Sequence, residues 1–105
     1  MTKITYTFGK RIELTVSGHA GAADANGTDL CCAAASMLSF TLMQTIKDMP
    51  LRDKKICYAD GYAHIGFKNT VGSRGAAAVV RAILTGFRLL KEEYPDNVGI
   101  ERCNS

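Results

Sequence analysis

Two stretches near the start of the chain alternate polar and apolar side chains and are separated by only two residues. Residues 4–8 and Arg11–Ser17 each direct every second, apolar side chain to one face, with Gly9 and Lys10 between them. A period of two is typical of a half-buried β-strand, and so short a connection favours a hairpin. The pattern predicts a β-hairpin whose apolar face must be covered by a second layer.

Two later segments repeat apolar residues every three or four positions, which predicts helices. The first begins after Asp29, a good N-cap, and ends at Met49-Pro50, since the residue before a proline resists helical geometry. The second begins after Ser73 as a possible cap, and Gly86 inside it predicts a close backbone approach. The expected buried stripes are Leu38, Thr41, Leu42, Thr45, Ile46 and Met49 in the first helix, and Ala76, Val79, Val80, Ile83, Phe87, Leu90 and Tyr94 in the second.

A second hairpin is predicted between the two helices. Residues 54–59 and Tyr62–Lys68 are short β-rich runs joined around Asp60-Gly61, a strong turn signal, and Val98–Arg102 fits a final strand. The resulting order is ββαββα(β). It predicts an α+β fold, a two-layer sandwich in which two helices pack on one antiparallel or mixed sheet.

Length and composition indicate one globular domain over residues 1–105, with 47% hydrophobic and 22% charged residues. A net charge of +3 is too small and too dispersed to predict direct nucleic-acid binding. No unbroken apolar run reaches about 20 residues, and residues 1–10 do not resemble a signal peptide. We therefore expect no membrane association, a cytoplasmic location and reduced thiols.

The four cysteines, Cys31, Cys32, Cys57 and Cys103, include no C-x-x-C pair. Paired spacing is usual for a tetrahedral zinc site, so we expect no metal and no other cofactor. A thiol redox protein using Cys31 and Cys32 is an alternative, but adjacent cysteines make a strained disulfide.

The residues best suited to chemistry lie between a strand and a helix start. His19 follows the first hairpin, a glycine-rich loop runs to Thr28, and Cys31 and Cys32 open the helix capped by Asp29. Free N–H groups and the helix dipole favour a thiolate there, and the same N–H groups could bind an oxyanion. An imidazole nearby could serve as general base. Spacing alone favours packing roles for the Cys and His residues, and their position at a glycine-rich loop and a helix start leaves packing and catalytic roles equally open.

Helical spacing distinguishes the two cysteines. Cys31 lies on the row of Ala35, Leu38 and Leu42, which belongs to the core stripe. Cys32 lies on a more polar row with Ser36, Ser39 and Met43. A partly exposed thiol can react whereas a buried one packs, so Cys32 is the predicted nucleophile.

Two segments of this sequence resemble the signature of the Prp family of ribosomal-processing cysteine proteases. They are Gly18-His19-Ala20-Gly21 and, after a loop, Asp29-Leu30-Cys31-Cys32-Ala33-Ala34-Ala35-Ser36. The pattern of the family is Gly-His-Ala, then a loop that contains glycine, then Asp-x-x-Cys-Ala-x-x-Ser. The resemblance spans essentially the whole chain. It implies that Cys32 is the nucleophile and His19 the general base. Cys31 stands where the family pattern has an aliphatic residue.

The resemblance also implies a substrate and an assembly. Prp proteases remove the N-terminal extension of large-subunit ribosomal protein twenty-seven, so the implied partners are that precursor and a second copy of the chain in a homodimer. It implies a mobile active-site loop over residues 20–28, in which Gly21 and Gly27 supply conformational freedom. Asp29 and Ser36 are the candidate supporting residues. The competing hypothesis is a non-catalytic ribosome-associated binding module.

Overall fold

The computed structural model describes residues 1–18 and 29–103 of the chain. Within that part, five strands form one sheet and two long helices cover one of its faces. The strands are β1 (Thr2–Phe8), β2 (Arg11–Ser17), β3 (Lys55–Ala59), β4 (Tyr62–Lys68) and β5 (Val98–Arg102), and the helices are α1 (Leu30–Lys47) and α2 (Arg74–Glu93). The order ββαββαβ confirms the predicted α+β sandwich.

The sheet has the strand order β3-β4-β2-β1-β5 and is mixed. The β1–β2 and β3–β4 hairpins are both formed, and β2 pairs with β4 in antiparallel fashion. The parallel pair is β1–β5, and the chain reaches β5 from β4 through α2. β1 begins two residues before the predicted position because Thr2 pairs with Val98, a partner far away in sequence.

The hydrophobic core lies between the inner face of the sheet and the two helices. The sheet contributes alternate residues of its strands, and the helices contribute one face each. The fully buried large side chains include Ile4, Ile12, Leu14, Ile65 and Phe67 from the sheet and Leu42, Ile46, Val80, Leu84 and Phe87 from the helices. The period-two pattern therefore predicted the inward face of the first hairpin correctly.

The predicted buried stripe of α1 is partly wrong. Leu42 and Ile46 are buried as expected, but Thr41 and Thr45 are exposed, and their hydroxyls donate to the carbonyls one turn earlier, at 2.7 Å each. The buried face instead contains Cys31, Ala35, Ser39 and Met43. Small and apolar residues occur all around α1, so spacing alone could not assign its inner face.

The start of α2 also differs from the prediction. Ser73 makes no side-chain cap to α2. Its hydroxyl instead donates to the Thr70 carbonyl and accepts from the Thr70 N–H, both at 2.9 Å, and so closes a 3-10 turn over Val71–Ser73. The hydroxyl is already occupied in the preceding turn, which is why the helix begins without it.

The two helices approach closely at Gly86, as predicted. A Cβ at this position would lie 2.7 Å from a methyl carbon of Leu38 on α1. A larger residue here would require the Leu38 side chain to shift. The buried face of α2 follows the prediction at Ala76, Val80 and Phe87, among others, while Val79 and Tyr94 are only partly buried.

Among the described helices, α1 alone is long and apolar enough to cross a membrane, with a mean hydropathy of 1.2 over its 18 residues. One such helix is weak evidence for a span, because core helices pass the same test. A third of α1 is buried inside this domain, where Leu42 and Ile46 pack in the core.

Candidate active site

The candidate site is built on the N-terminus of α1. Asp29 has extended backbone angles (φ −112°, ψ 91°) and caps the helix. Its Oδ1 accepts a hydrogen bond from the Cys32 N–H at 2.7 Å, and its carbonyl accepts one from the Ala33 N–H at 3.1 Å. The predicted cap is confirmed, and a short, charge-assisted bond holds the backbone of Cys32 to the side chain of Asp29.

Those two hydrogen bonds change one expectation. The N–H groups of Cys32 and Ala33 both donate to Asp29, so they are not free to bind an oxyanion. An oxyanion formed at this helix start would need donors other than these two N–H groups, because the capping carboxylate and carbonyl of Asp29 already accept from them.

The two adjacent cysteines have different environments. Cys31 is fully buried in the core, and this burial raises the pKa of its thiol, an effect that electrostatic interaction with Asp29 and Cys32 reinforces. Cys32 is partly exposed and lines a cavity. This division matches the predicted core and flank rows, although Ser39 and Met43 on the Cys32 row are buried. A nucleophile must be reachable, and of this pair Cys32 is the accessible one.

The cavity that contains Cys32 has a volume of about 140 Å³ and lies between α1 and one end of the sheet. Cys32, Ser36 and Phe40 come from α1, one turn apart, and the turn between β3 and β4 forms the facing side. The remaining described lining residues are Thr2, Val16, Gly18, Ala35, Ser39, Tyr58, Asp60, Gly61, Tyr62 and Ala63. A peptide segment could enter between the helix and the hairpin.

Sequence reasoning missed the aromatic and acidic side of this cavity. Phe40 of α1 packs against Tyr58 of β3, with ring centroids 5.1 Å apart and planes inclined by 49°. Asp60 and Tyr62 lie beside them around the hairpin turn. The Asp60-Gly61 signal predicted the turn, but it could not indicate that the turn faces α1, because that depends on the packing of the two layers.

Gly18 holds the end of β2 beside the same turn. Its N–H donates to the Gly61 carbonyl at 2.8 Å, and both glycines have positive φ, +84° at Gly18 and +70° at Gly61. A Cβ at Gly18 would collide with the carbonyl oxygen of Met1. Only glycine fits both the backbone angle and the contact.

The structure therefore brings together Asp29, Cys32 and Ser36 of the predicted site residues. His19, Gly21 and Gly27 fall in residues 19–28 and lie outside the described residues. Across residues 1–18 and 29–103, no group of three or more His, Cys, Asp or Glu side chains could share a metal ion.

Solved structures with the same architecture cover nearly all of the chain. The ribosomal processing protease Prp from S. aureus with a covalently linked product peptide has a TM-score of 0.77 and 21% identity, covering 98% of this chain and 100% of that one. The same protease with a substrate peptide has a TM-score of 0.76 and 22% identity, with the same coverage. A protein from Streptococcus mutans has a TM-score of 0.69 and 24% identity, and the match covers 100% of this chain and 96% of that one. At these identities the likeness establishes a common fold.

Sequence comparison identifies the family. No curated protein sequence matches the chain. The family model described as cysteine protease Prp matches residues 1–99, which include both hairpins, both helices and the candidate site. Because that match spans nearly the whole length of the domain, the chain belongs to the Prp family of cysteine proteases.

Proposed function

We propose that this protease removes the N-terminal extension of large-subunit ribosomal protein twenty-seven, with Cys32 as nucleophile and His19 as general base. The observation that carries the proposal is the position of Cys32. It is a partly exposed thiol one turn into a capped helix, and it lines the cavity between α1 and the β3–β4 turn. A thiol at a helix start is favoured as thiolate by the helix dipole.

The proposed reaction follows thiol protease chemistry. His19 takes the Cys32 proton, and the sulfur attacks the scissile carbonyl carbon, forming a C–S bond. The C–N bond then breaks, and the proton passes to the leaving amine, which departs as the mature protein's new N-terminus. Water hydrolyses the thioester, releasing the extension with a free carboxylate and restoring the thiol.

The comparisons support a ribosomal substrate. The similar S. aureus protein is described as an essential ribosomal processing protease, in complexes with a substrate peptide and with a covalently linked product peptide. Its fold and this one superimpose over 98% of the present chain. A ribosomal precursor is synthesised in the cytoplasm, so we propose that the enzyme acts there.

The proposal is tested with the precursor itself. Purified enzyme is incubated with the extended ribosomal protein from the same genome, and the products are identified by mass spectrometry. We expect one cut at the junction with the mature sequence, and none with Cys32→Ala. A precursor left intact by wild-type enzyme, or cut equally by Cys32→Ala, would contradict the proposal.

We also propose that the enzyme is a homodimer joined through its helices. Leu30 and Met37 on α1 and Leu89 on α2 are more than half exposed, at 64%, 65% and 58%. Between them runs an apolar groove lined by Ala34, Leu38, Gly86 and Leu90, with Glu93 at its edge. A second copy fits this surface because a two-fold axis brings the same apolar patch onto itself.

A further inference from the structure

The cavity beside Cys32 carries a single formal charge among its described residues. Asp60 supplies it, from the tip of the β3–β4 hairpin. Every other described lining residue is apolar, a hydroxyl, a thiol or glycine. A peptide in this cavity therefore meets neutral surface on the α1 side and one carboxylate on the hairpin side.

The Asp60 carboxylate is available for a ligand. It takes part in none of the hydrogen bonds or ion pairs among the described residues, whereas Glu13 pairs with Arg11 and Glu101 with Lys3. Its backbone is nevertheless held in place. The next residue, Gly61, accepts the hydrogen bond from Gly18, which ties the hairpin tip to the end of β2. The carboxylate is therefore exposed but attached to a fixed turn.

The residues around Asp60 suit a basic side chain. Tyr58 and Tyr62 lie two residues to either side of it and are exposed by 60% and 42%. Aromatic rings attract a cation electrostatically, and they also cover the aliphatic stem of Lys or Arg. The strand register pairs Tyr58 with Ala63 and Ala59 with Tyr62, so the two tyrosines lie on opposite faces of the hairpin. Asp60 together with Tyr58, which packs against Phe40 of α1, thus offers a charge partner and apolar contact.

We propose that Asp60 is a specificity-determining residue that favours substrates with Lys or Arg within three residues of the scissile bond. The inference rests on the proposed protease site at Cys32, since both residues line the same cavity. An extended peptide advances about 3.4 Å per residue, so three residues on one side of the cut span about 10 Å. Acidic side chains at the same position are disfavoured by like charge.

The test uses peptides spanning the cleavage junction, in which each of the three positions on either side carries Lys, Gln or Glu in turn. At low ionic strength we expect kcat/KM for Lys to exceed that for Gln by about fivefold at one position, the range of a solvent-exposed ion pair. Asp60→Asn should abolish this preference, and Asp60→Lys should transfer it to Glu. Glu92→Gln, an equal charge change on α2 outside the cavity, should leave it intact.

Binding of the same peptides to Cys32→Ala enzyme, measured by fluorescence anisotropy, separates this inference from the proposed function. A Lys preference in binding that depends on Asp60, without cleavage by wild-type enzyme, supports the inference and overturns the protease proposal. Cleavage with no Lys preference, or with a preference that survives Asp60→Asn, overturns the role of Asp60 alone. Peptides that neither bind nor react overturn both.

Discussion

Cys31 and Cys32 are adjacent in sequence, yet one belongs to the core and the other to the cavity. Cys31 is 0% exposed, and the pKa of its thiol is raised chiefly by burial. Consecutive helical residues point about 100° apart, so a helix lying on a sheet separates such a pair. The neutral thiol that burial imposes on Cys31 is poorly suited to nucleophilic attack.

We expect Cys32→Ala to lower kcat/KM for the junction peptide by about a thousandfold or more, since the nucleophile is lost. Cys31→Ala should retain activity but lower the free energy of unfolding by about 1 kcal/mol, because it removes a buried sulfur. Peptide cleavage and urea unfolding measure the two effects. An active Cys32→Ala enzyme with an inactive but folded Cys31→Ala enzyme would reverse the assignment.

Burial of Cys31 also predicts how stability depends on pH. The folded state keeps this thiol protonated above its ordinary pKa of 9.0, where the unfolded chain has lost the proton. Unfolding then releases a proton, so the free energy of unfolding falls as pH rises beyond that value. Comparison of urea unfolding at pH 7 and pH 10 should show a smaller alkaline loss in Cys31→Ala than in wild type. The exposed-site variant Cys57→Ala is the control and should follow wild type.

At the scale of elements, the start of α1 connects stability with function. Asp29 caps the helix through the Cys32 N–H, so one hydrogen bond both begins the helix and positions the backbone of the proposed nucleophile. The facing wall of the cavity is equally restrained, because Gly18 ties the end of β2 to the β3–β4 turn. The site therefore lies between a capped helix and an anchored hairpin.

Asp29→Ala should lower the free energy of unfolding by about 1 kcal/mol, the usual cost of losing an N-cap. It should also reduce peptide cleavage, since the backbone of Cys32 loses its acceptor. Asp29→Asn keeps an oxygen that can accept the same bond, so both its stability and its activity should remain closer to wild type. Thermal unfolding and kcat/KM together check this, and equal losses in the two variants would indicate that charge rather than capping matters.

The whole molecule leaves an apolar surface exposed on its helical side. Leu30, Met37 and Leu89 project from the two helices next to the groove at Gly86. Exposed apolar area of this kind commonly marks an interface. Here the proposed partner is a second copy of the same chain, which would cover the patch on both subunits.

Met37→Glu and Leu89→Glu should each shift the protein from dimer to monomer in light scattering at micromolar concentration, because a charge would be buried in an apolar interface. Val71→Glu is a matched control, since Val71 is 80% exposed on the 3-10 turn outside the groove. A wild-type protein that already scatters as a monomer would contradict the proposed assembly.

The element order, the inward face of the first hairpin and the Asp29 cap were all predictable from the sequence, because hairpin turns, alternation and capping depend on neighbouring residues. The motif from Asp29 to Ser36 likewise suggested the protease family, which the match over residues 1–99 established. Local physical chemistry was sufficient for the element order, the hairpin face and the cap, whereas the family was suggested by the resemblance of the motif.

Other features depended on contacts between residues distant in sequence. The extension of β1 to Thr2 depends on pairing with β5, and the inner face of α1 depends on the elements that pack against it. The placement of Asp60 and Cys32 in one cavity depends on how the β3–β4 hairpin packs against α1. Burial and pairing across layers are properties of the assembled molecule, so tertiary structure alone decided which groups of the site are available.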